Sequence, residues 1–61
     1  MKRKELVRRV EALGAILVRE GGRHSVYENP YTKGTIAIPR HAEVNEHTAK
    51  SIIRAAGERP T

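Results

Sequence analysis

Three histidines, His24, His41 and His47, are the side chains best able to move protons at neutral pH, and no cysteine accompanies them. A free imidazole titrates near ~6.5, so it both takes and gives protons in that range. Proton transfer by a positioned side chain contributes about 10²–10⁴-fold to a rate. Cleavage of a ribonucleotide chain needs this chemistry: a base for the 2′-hydroxyl, an acid for the 5′-oxygen, and cations against the phosphate.

The three positions are not equivalent. His47 projects opposite the stripe carrying Ala49 and Ile53, beside Ser51 and Arg54, and reads as a solvated helix residue. His41 follows Arg40 in a connector, where a residue can serve a site or simply face water. His24 comes directly after Gly21-Gly22-Arg23, where small residues let another backbone approach. On its residues alone, His24 is either a proton-transfer group or a hydrogen-bonded sheet residue.

The cations around these histidines suit a polyanion. Lys4 and Arg8 lie four apart on the polar side of a helix, and such a stripe serves either solubility or phosphate contact. Arg23, Lys33 and Arg40 fall near strand ends and turns and are expected to surround one site. Tyr27 and Tyr31 are the only aromatic side chains for stacking on bases.

Other chemistries find little support. There is no Asp for a carboxylate-held magnesium, no His-Glu-x-x-His, no phosphate-binding glycine loop of the Walker or G-x-G-x-x-G type, and no cysteine for thiolate zinc. No metal and no cofactor are expected.

The elements that must position these residues follow from periodicity. Leu6, Val7, Val10 and Leu13 form one stripe of a helix over Lys2–Leu13, with Gly14 as a left-handed cap. Glu5 stands four residues before Arg9, the favourable order for an ion pair. Ala15–Glu20 is β-branched and too short for a helix, so it reads as a strand. Gly21-Gly22 then turns the chain into a second strand, Arg23–Glu28. Alternation there puts Arg23, Ser25 and Tyr27 on one face and His24 and Val26 on the other.

Asn29–Gly34 is a turn in which Asn and Gly tolerate positive φ, and Thr35–Ile38 is a third strand with Ile36 and Ile38 buried and Pro39 ending it. Asn45 caps a second helix, Val44 is placed to staple onto Ala49, and Ala49, Ile52, Ile53 and Ala56 form its apolar stripe up to Gly57. The fold class is α+β, a two-layer α-β-β-β-α sandwich with both helices on one face of a three-stranded antiparallel sheet. Because the whole sheet separates the helices, no helix-turn-helix is present.

With 61 residues the chain is expected to be one domain, residues 1–61, with 57–61 frayed. Twelve Lys and Arg against seven acidic residues give a net charge of +5, which favours polyanions and says nothing about fold. A core without Phe or Trp is marginal at this length, so a partner should add stability. No apolar run is long enough to span a bilayer, no signal-peptide core follows the basic N-terminus, and both apolar stripes are needed inside. A cytoplasmic location is expected.

The segments Gly21-Gly22-Arg23-His24-Ser25-Val26-Tyr27, Asn29-Pro30 and Ile38-Pro39-Arg40-His41, with Glu43-Val44 and the helix carrying Ala49 and Ile52-Ile53, resemble the HicA (YcfA-like) toxin family. The resemblance runs from about Glu5 to Gly57. It implies a double-stranded-RNA-binding-domain-like fold and a metal- and ribosome-independent mRNA interferase held inactive by a HicB antitoxin. It also implies that His24 is the catalytic histidine. Two departures stand out: Arg23 and Ser25 flank the histidine where relatives commonly pair it with a second one, and Ala15 stands where an aromatic is common.

These readings lead to an RNA endonuclease with His24 as general acid/base. Its expected RNA contacts are Arg23 and Arg40, then Lys4, Arg8, Lys33 and Tyr27. The alternatives are an RNA-binding module of the same fold without cleavage, and an interaction subunit that docks an acidic protein.

Overall fold

The computed structural model describes all 61 residues. The elements run α1 (Arg3–Ala12), β1 (Ile16–Glu20), β2 (His24–Glu28), β3 (Thr35–Pro39) and α2 (Glu46–Gly57), the α-β-β-β-α order expected. The sheet is antiparallel in the order β1-β2-β3. Both helices cover one face. Leu6 and Val10 of α1, Ala49, Ile52 and Ala56 of α2, and Tyr27, Ile36 and Ile38 of the sheet share a single core with Ala15 and Val44.

Helix ends are satisfied in different ways. At the C-terminus of α1, Gly14 adopts φ 104°, while its N–H and that of Ala15 donate to the carbonyls of Glu11 and Val10, each at 3.0 Å. This is the double bond of a Schellman cap, which needs a left-handed residue at Gly14. The N-terminus of α1 has no side-chain cap; instead the Arg3 N–H donates to the Ala42 carbonyl at 2.9 Å. Asn45 caps α2 as expected, accepting from the N–H groups of His47 and Thr48.

The C-terminus of α2 is closed by Asn29 rather than by a left-handed glycine, since Gly57 has no positive φ. The buried Asn29 Nδ2 donates to the carbonyls of Ala55, Ala56 and Glu58 at 3.0, 3.4 and 2.8 Å. Its Oδ1 accepts from the N–H groups of Tyr31 and Thr32 at 2.9 and 3.3 Å. One side chain thus builds the β2–β3 turn and docks the last turn of α2. The positive φ in that turn belongs to Lys33, at 66°, not to Asn29 or Gly34.

Of the 57–61 segment expected to fray, Gly57 is helical. Arg59 is held too: its Nη2 donates to the Leu13 carbonyl at 2.7 Å, and its guanidinium lies 4.1 Å from the centre of the Tyr31 ring. Pro39 extends β3 by one residue beyond the expected end; as an edge strand, β3 tolerates a residue without an N–H. The other edge, β1, is exposed along its whole length, including Ile16, Leu17 and Val18, and its register slips between Leu17 and Arg19. Such a bulge bends an edge strand away from regular pairing. No helix is long and apolar enough to cross a membrane.

Candidate nucleic-acid site at the His24 end of the sheet

Alternation along β2 decides where His24 points. Ser25 and Tyr27 are 1% and 5% exposed and face the helices, so His24 and Val26 face the open side of the sheet. His24 is exposed and lies opposite Pro39 in the β2–β3 register. A cavity of about 430 Å³ opens there, lined by Arg23, His24, Pro39, Arg40 and His41. Arg23 lines it although alternation placed it on the opposite face, because β2 begins at His24 and Arg23 belongs to the turn.

The turn carrying His24 is anchored from several sides. The Gly21 N–H donates to the His24 carbonyl at 2.8 Å, and a Cβ on Gly21 would sit 3.0 Å from that oxygen. Only a residue without a side chain fits this approach comfortably. Gly22 has nothing within 4 Å of where its Cβ would be, so the close approach belongs to Gly21 alone. Arg40 spans the sheet end, its Nε donating to the Gly21 carbonyl at 2.9 Å and its Nη2 lying 3.1 Å from Glu20 Oε2. The Arg40 N–H donates to the Arg23 carbonyl at 3.3 Å. Two of the three guanidinium nitrogens are therefore committed within the chain, and Arg40 is a brace as well as a cation of the cavity.

Beneath this cavity, on the helix side, lies a polar group that periodicity did not single out. Arg3 donates from Nε to the Pro39 carbonyl at 2.9 Å and from Nη2 to Ser25 Oγ at 2.7 Å. The Ser25 hydroxyl first, and Arg40 after it, hold the Glu20 carboxyl below the ordinary carboxylate range. Arg3, Ser25, Glu20 and Arg40 thereby connect α1 with the site ends of all three strands. The signal for this was Ser25 itself, a polar residue on the buried side of a strand, which must find partners.

The remaining candidates divide. Lys4 and Arg8 are exposed on α1, and a second cavity of about 370 Å³ is lined by Lys2, Arg3, Lys4 and Ala42, the last being the residue after His41. Lys33 does not join Arg23 and Arg40. It sits in the β2–β3 turn, and successive turns of an antiparallel sheet fall at opposite ends. Tyr27 is not available to stack on bases: it is a core residue whose hydroxyl approaches Glu11 Oε2 at 3.5 Å. Burial, with Glu11 second, pushes its phenol pKa up. His47 is exposed near the start of α2, outside the cavity lining. No group of three His, Cys, Asp or Glu side chains converges in a way that could hold a metal ion.

A two-layer α-β-β-β-α domain with a cationic, histidine-lined cavity at one end of its sheet is thus the class that fold and site define. A family model described as the HicA toxin of bacterial toxin–antitoxin matches residues 3–58. The chain belongs to the HicA toxin family, and with it to the toxins of toxin–antitoxin systems. No curated protein and no solved structure matches it.

Proposed function

We propose that this toxin is a metal- and ribosome-independent endoribonuclease that cleaves mRNA, with His24 as its general acid/base. The observation that carries the reading is the placement of His24 on the open sheet face, in one cavity with Arg23 and Arg40. A phosphate seated there meets an imidazole on a strand and guanidinium groups from two turns. Guanidinium groups stabilise charge that develops on phosphate oxygens. Attack of the 2′-oxygen on phosphorus breaks the bond to the 5′-oxygen, leaving a 2′,3′-cyclic phosphate and a 5′-hydroxyl.

Lys4 and Arg8 supply attraction that does not depend on sequence. The partner that silences the toxin is a HicB-like antitoxin, and the site of action is the cytoplasm.

The test is expression of the wild type and of His24→Ala in a bacterial host, with cleavage of RNA by each purified chain. Wild type arrests growth and yields cyclic-phosphate ends; His24→Ala does neither and melts at the same temperature. A His24→Ala chain that still arrests growth and cuts RNA overturns the reading.

A further inference from the structure

Attack by a 2′-hydroxyl moves two protons, one off the nucleophile and one onto the leaving oxygen. We propose that His41 is the second proton-transfer group, working in the same cavity as His24; this rests on the ribonuclease reading above.

His24 and His41 are the only imidazoles lining the cavity; the other residues there are Arg23 and Arg40, whose guanidinium groups keep their protons, and Pro39, which has none to give. The register explains how they meet. Pro39 lies directly opposite His24, and His41 comes two residues later. The connector that leaves β3 thus carries His41 to the lip of the cavity that His24 faces. A phosphate seated in this cavity meets both imidazoles.

His41 is exposed, yet its backbone is not loose. The residue before it donates through the Arg40 N–H to the Arg23 carbonyl at 3.3 Å. The residue after it accepts, through the Ala42 carbonyl, from the Arg3 N–H at 2.9 Å. These two tethers fix the connector between the His24 turn and the start of α1. The fixed charges facing the imidazoles are Arg23 from the turn and Arg40 from the same connector, with Glu20 paired to Arg40.

The step balances with the two side chains alone. One neutral imidazole takes the 2′-hydroxyl proton as the 2′-oxygen bonds to phosphorus. The other, as imidazolium, gives its proton to the 5′-oxygen as that bond to phosphorus breaks. The pair ends with its protons exchanged and is reset by solvent.

The experiment compares wild type, His24→Ala, His41→Ala, His41→Gln and His47→Ala in single-turnover RNA cleavage across pH, with RNA affinity measured in parallel. Both His41 variants should lose on the order of 100-fold in rate while RNA affinity and melting temperature stay close to wild type. The two-limbed pH profile should lose one limb, and added imidazole should partly restore His41→Ala. His47→Ala should match wild type.

If His24→Ala is inactive but the His41 variants keep wild-type rates, or slow down with both limbs intact and no imidazole rescue, the role given to His41 is wrong and that of His24 stands. If His24→Ala cleaves normally, the catalytic role of His24 falls and the pairing with His41 falls with it; if the wild type cuts no RNA, the ribonuclease reading itself falls.

Discussion

Arg40, just past the end of β3, reaches across the sheet to Glu20 at the end of β1, with 3.1 Å between Nη2 and Oε2. Its Nε simultaneously donates to the Gly21 carbonyl at 2.9 Å. The two outer strands are thereby fastened to each other around the turn that presents His24. An exposed ion pair contributes little to stability, about 0–1 kcal/mol. Its consequence is positional: Gly21 is held by Arg40 and in turn holds the His24 carbonyl.

Glu20 makes this end of the sheet sensitive to acid. Its folded pKa lies below the ordinary 4.5, chiefly through the Ser25 hydroxyl and then Arg40. A carboxylate depressed on folding stabilises the native state above its unfolded pKa, and that stability is lost as pH falls through the folded value. Glu20→Gln should therefore flatten the decline of melting temperature below about pH 4.5 and, above that range, lower melting by a small amount that does not change with pH. A Glu20→Gln chain whose acid decline matches wild type contradicts this account.

Gly21 and Gly22 should respond differently to the same change. Gly21→Ala forces a Cβ to within 3.0 Å of the His24 carbonyl, so the turn must shift. RNA cleavage should fall several-fold with only a modest loss of stability. Gly22→Ala meets no atom within 4 Å and needs no left-handed backbone, so cleavage and melting should stay near wild type. Equal losses in both variants would show that the close approach at Gly21 does not position His24.

Asn29→Ala removes a buried side chain that donates to three carbonyls and accepts from two N–H groups. Buried polar groups left without partners cost about 1–3 kcal/mol, a large share of the roughly 3–9 kcal/mol that a domain of this length has in total. Chemical denaturation should show a loss of about 2–4 kcal/mol, and α2 should lose amide-exchange protection first at its C-terminal turn. A loss below about 1 kcal/mol would mean that water replaces these bonds readily.

The cations should sort by position when RNA affinity is measured against salt. Lys4→Gln and Arg8→Gln should each weaken binding and reduce the salt slope by about 0.7 for single-stranded RNA. Lys33→Gln, at the far end of the sheet from His24, should change neither. Tyr27→Phe should also leave affinity unchanged, because its ring is in the core. A loss of affinity in Tyr27→Phe or Lys33→Gln comparable to that in Lys4→Gln would relocate the RNA surface.

Much of this protein was legible in local pattern. The stripe of Leu6, Val7, Val10 and Leu13, the alternation of Ser25, Tyr27, Ile36 and Ile38, and the caps at Gly14 and Asn45 determine five elements, their order and the layer they form. They do so because helical and extended chains bury side chains at different periods, and each period is visible over a few residues. Alternation also put His24 on the face away from the core.

What it could not decide was which distant polar groups meet. That depends on strand register and on how the helices sit on the sheet, and so on tertiary packing. Only the folded chain places Asn29 under the end of α2, Arg3 on Ser25 and Arg40 on Glu20. It also sends Lys33 to the opposite end of the sheet, takes Tyr27 into the core, and brings His41 to the cavity of His24.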